Sequence, residues 1–426
     1  MRRFLSTFSL VAFLLSNFAL FNQVWAQNLV IENARIIVGP GNMIENGSMA
    51  VVDGIISEVS QNQVQVPAGA TIIDGSGMTL IAGYIDNHRH LIGARGQQAV
   101  ARFLEEEAAT QMLDLLEAGV TTVQSGGDDN DGILELKRLI DSGEIKGPRI
   151  ITSYRVPTAG MENEMAVRMA VRAAVEAGAD SIAEVHYPDV VWPFAPTEQE
   201  TKNLLAGLDE AERLGIPFQI HAVSDVALAA TIGLGARKLI HSVNINWVSA
   251  EIAEQVAASG AQVASITGFG SPNFDVFSQD NDPKFRDGNP WPEGIVDSQG
   301  LGQEAGYMPI NLRTLYDHGV DVTFATDTRF YAPAAIAHEI KTLSLVFSVP
   351  DLVQIMGPNS ARFIDMDQQI GTLEEGKYAD FLVLGHNPYD GFWFLLNPVM
   401  VVKGGEIMVD ERGQPEAGLP IVRTGI

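Results

Sequence analysis

Thr79-Leu80-Ile81-Ala82-Gly83-Tyr84-Ile85-Asp86-Asn87-His88-Arg89-His90 is an apolar run that ends on two histidines at i and i+2. In a β-strand that spacing puts both imidazoles on one face, about 7 Å apart along the chain, a gap one divalent ion can bridge. Read outward from there, apolar runs of a few residues alternate with helical patterns. The expected strands are Leu80–Ile85, Thr121–Gln124, Arg149–Ser153, Ser181–Val185, Phe218–Ile220, Lys238–Ile240, Gln262–Ser265 and Val322–Phe324. The expected helices include Arg102–Ala118, Met165–Ala177, Thr197–Leu214 and Ala250–Ser259. Eight strands alternating with helices predict a (β/α)8 TIM-like barrel, whose strand ends gather at one rim. A doubly wound open sheet is the alternative; no Gly-rich phosphate turn follows the first strand, which disfavours it.

Both flanks of this region read as strands. Before it, Leu29-Val30-Ile31, Ala34–Val38, Met49–Val52 and Ile55-Ile56 are separated by turn signals such as Asn46-Gly47 and Asp53-Gly54. After it come Phe381–Leu384, Val399–Lys403 and Glu406–Val409. The two flanks predict a composite β-sandwich domain, with residues 27–77 and 371–426 as its two parts and 78–370 as the barrel. Residues 269–306 break the barrel's rhythm: they are rich in Gly, Pro, Asp and Asn, with Phe274, Phe277, Phe285 and Trp291 among them. A loop of that length is read as a lid or specificity loop.

The first 26 residues carry Arg2-Arg3, an apolar stretch Leu5–Phe21 and Val24-Trp25-Ala26 ahead of Gln27. That is the pattern of a cleaved signal peptide, so the mature protein is expected in the periplasm or secreted, with no membrane anchor. There is no cysteine among the 426 residues, which excludes disulfides, lipoprotein acylation and thiolate ligands. The formal net charge is −26, which argues against nucleic acid and anionic membrane as partners. A small molecule or short peptide is the expected partner, and homo-oligomerisation is left open.

Of the eight histidines, His88, His90, His186, His221 and His241 lie at or near expected strand ends, and Asp327 follows Phe324-Ala325-Thr326. Imidazoles plus a carboxylate suit Zn²⁺ or a similar divalent ion with a position left for water. Such an ion lowers the pKa of that water towards ~7. A nearby carboxylate, for which Asp327 is the candidate, can take the proton and pass it to a leaving amine. His318 reads as a helix-end residue, His338 as packing, His386 as an exposed turn residue; His186 is ambiguous.

Gly83–His90 (GxIDxHxH), Leu116–Val123 (LLxAGxTTV), Gly147-Pro148-Arg149-Ile150 and Gly371–Leu384 (GxLexGKxADlvvl) stand out as motifs. On them the chain resembles the amidohydrolase superfamily, in its imidazolonepropionase-like and Xaa-Pro-dipeptidase-like branch. The resemblance implies metal ligands His88, His90, His221 and His241, with Asp327 as ligand and proton shuttle. His241 is implied to bind or orient. Many members bridge two metals with a carboxylated lysine on the fourth strand. Here Ala183 aligns with it and Glu184 is one position further on. Either a one-residue bulge brings Glu184 in as the bridging ligand or the site holds a single ion. The reading is therefore an exported hydrolase of an amide, peptide-like or cyclic amide C–N bond, using one or two divalent ions, most simply Zn²⁺. A deaminase or a lactone or carbamate hydrolase on the same centre is one alternative. The HxxE of aromatic-base deaminases is absent, since His221 precedes Ala222-Val223-Ser224. A barrel that only binds a ligand is the other.

Overall fold

The computed structural model describes residues 27–93, 96–187, 196–244, 246–267, 307–328 and 331–413. The expected signal peptide and the 269–306 loop lie outside the described residues. The N-terminal strands are β1 (Leu29–Gly39), β2 (Asn42–Val52), β3 (Ile55–Ser60), β4 (Thr71–Asp74) and β5 (Thr79–Ala82). The central strands are β6 (Tyr84–Arg89), β7 (Val120–Ser125), β8 (Arg149–Ile151), β9 (Ser153–Arg155), β10 (Ser181–His186), β11 (Phe218–His221), β12 (Lys238–Ile240), β13 (Gln262–Ala264) and β14 (Asp321–Thr323). The last three are β15 (Phe381–Leu384), β16 (Pro398–Lys403) and β17 (Glu406–Asp410).

Terminal strands from both ends share one sheet, in the order β17-β16-β15-β5-β1-β2-β3 with β4 beside β1. A sandwich needs two stacked sheets, whereas the described strands outside the parallel sheets all belong to this one. The alternation of its side chains explains why a single sheet suffices. Phe381, Val383, Met400 and Val402 enter a core with Leu29, Ile36 and Met49. Leu382, Leu384 and Val401 point to the other face and pack with Leu115, Leu116 and Val120. Both faces are thus buried, one on the sheet's own core and one on the central domain.

The apolar run Leu80–Ile85 is divided. Thr79–Ala82 pairs with β1 and β15, and the chain enters the central domain only at Tyr84. The chain therefore changes sheets at Gly83. Gly83 is needed there: a Cβ would stand 2.2 Å from the Thr121 hydroxyl. Its N–H donates to Asp380 O, tying the crossing point to the C-terminal segment.

The central strands are parallel, in sheets β6-β7-β8 and β9-β10-β11-β12-β13-β14. Only Thr152 separates β8 from β9. At the other side, Asn87 N–H donates to Phe324 O at 2.9 Å and Asp327 N–H to His88 O at 2.8 Å, joining β6 to the segment after β14. Polar side chains knit the strands inside: Gln124 Nε2 donates to Ser181 Oγ, Gln219 Nε2 to Gln124 Oε1, and Ser153 and Ser181 share a hydroxyl bond. Below this layer Ile85, Ala183, Ile240, Ala264 and Ala325 close an inner apolar core.

Helices α1 (Gln97–Glu106), α2 (Ala108–Glu117), α3 (Asn130–Asp141), α4 (Glu164–Glu176) and α5 (Glu198–Leu214) follow in chain order. Then come α6 (Asp225–Gly233), α7 (Ala250–Ser259), α8 (Tyr307–Asp317) and α9 (Ala332–Leu343). The helix expected over 102–118 is broken at Glu107, whose φ of −119° lies outside the helical range. Thr197 and Glu200 form a capping box at the start of α5, where the sequence placed the helix. No described helix is long and apolar enough to cross a membrane.

Candidate metal centre

The strands deliver the site residues at their C-terminal ends, the rim where parallel α/β barrels carry their chemistry. His88 closes β6 and His90 follows it; Glu184 lies in β10; His221 ends β11; His241 follows β12; Asp327 follows β14. The side chains of His88, His90, Glu184 and Asp327 offer ligand atoms within 4.8 Å of one another, and so do those of Glu184, His221 and His241. All six residues named from the sequence come together, and Glu184 belongs to both groups.

Glu184 reaches inward because β10 slips. The β10–β11 register shifts between Ile182 and Val185, and Glu184 has φ 56°. That left-handed backbone turns the carboxylate to the face that Ala183 would otherwise occupy alone. Its Oε1 is 2.8 Å from His88 Nε2. Its Oε2 is 2.9 Å from His186 Nε2 and 3.6 Å from His221 Nδ1, and it accepts from Arg155 Nη2 at 3.2 Å. Asp327 Oδ1 lies 3.2 Å from His90 Nε2 and 3.4 Å from His88 Nε2; its Oδ2 is 3.6 Å from His241 Nε2. His241 and Asp327 also have positive φ, at 76° and 45°.

Electrostatics divide the donors. Burial pushes the His241 imidazole well below its ordinary range, and it lowers His221 too against the pull of Glu184. Both are therefore neutral and can offer a lone pair. Burial opposes charge on His88 as well, but hydrogen bonds from it to Asp327 and Glu184 push it up to about 10. His90 rises against its burial to about 9, through Asp128 and Asp327. Burial likewise works against the anionic forms of Glu184 and Asp327, yet the surrounding imidazoles hold both far below the usual carboxylate range. His88 thus faces the carboxylates of Glu184 and Asp327, and His90 those of Asp128 and Asp327; a divalent cation bound among these residues would release the protons that such neighbours favour. Among the described residues, buried His221 makes no close hydrogen bond: Nε2 has no partner, and Nδ1 meets Glu184 Oε2 only at 3.6 Å. Orphaned imidazole nitrogens beside an anionic carboxylate fit a metal ion, and a nitrogen–oxygen donor set of this kind suits Zn²⁺ or a similar ion.

Several contributors were not singled out from the sequence. Buried Asp86 accepts from the His88 N–H, the Thr326 N–H and the Thr326 hydroxyl, the last at 2.6 Å. Arg89 Nη1 donates to Thr326 Oγ1 at 3.0 Å. This network sets the backbone of the first and last strands against each other beneath His88 and Asp327. Gly126 allows β7 to end flush with the site, since a Cβ there would stand 2.9 Å from His90 Nδ1 and 3.1 Å from His88 Nε2. Arg155 and Asp128 reach Glu184 and His90. The Ser125-Gly126-Gly127-Asp128 run was the available signal, and it reads as an ordinary turn. His186 joins the site's edge, its ring 4.7 Å from that of His221. The other histidines stay away: His338 is buried in α9, His386 stacks on Phe394, and His318 Nδ1 lies 2.7 Å from Thr314 O at the end of α8.

A profile of the amidohydrolase family matches residues 79–260 and 306–408, about two thirds of the chain. The imidazolonepropionase of Geobacillus kaustophilus is 25% identical over 410 residues, spanning 87% of this chain and 91% of that protein. Two solved structures share the fold. The A. niger ochratoxinase has a TM-score of 0.72 at 18% identity, with 91% of this chain and 96% of that one covered. A Xaa-Pro dipeptidase with bound methionine in its active site has a TM-score of 0.71 at 19% identity, with 89% and 99% covered. These likenesses make the fold TIM-barrel-like.

Proposed function

We propose, from the premise that this chain belongs to the amidohydrolase family, that its rim is a binuclear metal centre hydrolysing an amide, peptide-like or cyclic amide bond. Membership makes it a metal-dependent hydrolase of C–N bonds; the rest of this reading is ours. The observation that carries it is Glu184, turned into the site by its left-handed backbone and shared by both donor groups. His88, His90 and Asp327 would hold one ion, His221 and His241 the other, with Glu184 between them.

A metal ion held by these residues would supply a water that is nucleophilic at neutral pH and would polarise the scissile carbonyl. The protein's own part follows from its contacts. Asp327, kept anionic by the imidazoles around it, accepts the water's proton and returns it to the leaving nitrogen. Asp86, through Thr326 and the His88 N–H, holds acceptor and ligand at a fixed separation. Neutral His241 keeps a lone pair directed at the centre and orients what binds there. We also read the two parallel sheets as one ring of eight strands, with β8 and β9 as a single interrupted strand, and the mixed sheet as the composite terminal domain. Export through the N-terminal leader, and Zn²⁺ as the resident ion, complete the proposal.

The test is metal content of protein purified from metal-replete cells, together with turnover of N-acyl amino acids, Xaa-Pro dipeptides and cyclic amides. About two ions per chain are expected for the wild type and about one or none for Glu184→Gln. Full occupancy and normal turnover in Glu184→Gln would remove Glu184 from the ligand set, and one ion per chain in the wild type would make the site mononuclear. A fully metallated protein that turns over none of these substrates would favour the ligand-binding alternative.

A further inference from the structure

His90 is held from both sides, and only one side belongs to the donor groups. Nε2 faces Asp327 at 3.2 Å; Nδ1 faces Asp128 Oδ1 at 3.3 Å. The Asp128 side chain is 2% exposed. Its other oxygen, Oδ2, accepts the Leu91 N–H at 2.9 Å, so the backbone next to His90 fixes the carboxylate that faces the ring. The approach depends on Gly126, because a Cβ there would meet His90 Nδ1 at 2.9 Å and force the Asp128 segment outward. The charge has a buried counterpart in Arg89. Neither proton transfer nor the ligand set requires Asp128, and a carboxylate is costly to bury without a task.

A neutral imidazole carries one N–H and one lone pair, and which nitrogen has which follows from the partner of the other. A carboxylate only accepts. We propose that Asp128 is a positioning residue that fixes His90 as the Nδ1–H tautomer, with the Nε2 lone pair and ring plane turned to the metal centre. This rests on the reading that the cluster holds metal. Carboxylate partners of ligand histidines elsewhere are worth roughly 10–100-fold in metal affinity.

Asp128→Asn discriminates sharply. The amide oxygen can keep the Leu91 N–H, which leaves the amide NH2 against His90 Nδ1 and favours the opposite tautomer, with the proton on Nε2. The experiment titrates metal-free full-length protein with Zn²⁺, and separately with Co²⁺, in competition with a chromophoric chelator. It compares wild type, Asp128→Asn, Asp128→Ser and Glu135→Gln. Glu135 is an exposed α3 carboxylate paired with Arg138, so its variant controls for the loss of one charge. Affinity should fall about 10–100-fold in Asp128→Asn, fall in Asp128→Ser, and stay at the wild-type value in Glu135→Gln. Asp128→Ser also offers an acceptor to Leu91 N–H, so the comparison stands even where Asp128→Asn folds poorly. If Asp128 only pins the Leu91 backbone, both variants bind as wild type does, and the assignment is overturned. Wild type that takes up no metal overturns the metal-site reading and this assignment with it; wild-type uptake with unchanged variants overturns this assignment alone.

Discussion

Asp53, between β2 and β3, and Asp327, beyond β14, are both aspartates with left-handed backbone, at φ 51° and 45°. Asp53 is exposed in a two-residue Asp53-Gly54 turn, where both φ values are positive and match the twist of the strands they join. Its conformation is what the hairpin requires, and the sequence announces it. Asp327 sits at the end of a parallel strand, where no turn type asks for such a conformation. Its N–H is spent on His88 O and its carboxylate on three imidazoles. Glu184 within β10 and His241 just after β12 repeat the pattern, and Ile266 repeats it beyond β13 with φ 42°. A β-branched residue there is an outlier, held by Ile266 N–H to Ala325 O and by Glu339, which takes the N–H and hydroxyl of Thr267. Left-handed residues in the turn serve the fold. At the rim they cost backbone energy, of order 1–3 kcal/mol each, that the surrounding strands sustain so that side chains converge.

The largest expected effect follows from the rim. Asp327→Asn keeps the shape and one oxygen but cannot accept a proton. It should lose about 10²–10⁴ in kcat while KM changes little, the signature of an interaction made mainly in the transition state. Steady-state kinetics on any substrate found in the screen measures it. Wild-type kcat in this variant would reduce Asp327 to a structural residue and remove the distinction between the two aspartates.

The mixed sheet supplies the opposite case. Phe381 is fully buried in the core that faces away from the central domain, paired across the sheet with Val402 and Ala82. Phe381→Ala should cost about 3–5 kcal/mol, through lost burial and the cavity left behind. Metal affinity and kcat of the folded fraction should be unchanged at low temperature. Denaturation followed by circular dichroism gives the first quantity and chelator competition the second. A parallel fall in metal affinity would mean that sheet and rim are one energetic unit.

These contrasts explain what could be read in the chain beforehand. The eight central strand positions were legible because each is a short apolar run bounded by turn residues, and a parallel strand is buried on both faces. The site histidines and Asp327 were legible because they end those runs. The change of sheet at Gly83 was not legible, since Leu80–Ile85 reads as one apolar run and nothing local says that its halves enter different sheets. The break at Glu107 was missed for a similar reason: helical periodicity continues through it. Asp128 was invisible because Gly126-Gly127-Asp128-Asp129 reads as a loop, and the residue it meets, His90, lies 38 positions earlier in the chain. Glu184 is intermediate. Its place beside Ala183 suggested a slip, but only the β10–β11 register and its φ show how the carboxylate turns.

The smallest expected effect tests the turn. Asp53→Ala keeps an ordinary side chain but loses the tolerance of left-handed backbone that aspartate and asparagine have through local hydrogen bonding. The Cβ clash then costs roughly 1 kcal/mol, within the range for an L-residue forced into that region. Asp53→Asn should cost nothing measurable, because asparagine favours the first position of this turn. Asp53→Gly should also be close to neutral: it removes the clash but adds chain entropy to the unfolded state, and the two terms oppose each other. All three leave the rim untouched, so kcat and metal affinity should equal the wild type. Urea midpoints of the four proteins, with m-values compared to check that the surface exposed on unfolding is unchanged, decide the matter. Asp53→Ala as stable as wild type would show that the turn carries no conformational demand. The contrast with Asp327 would then rest on the rim alone.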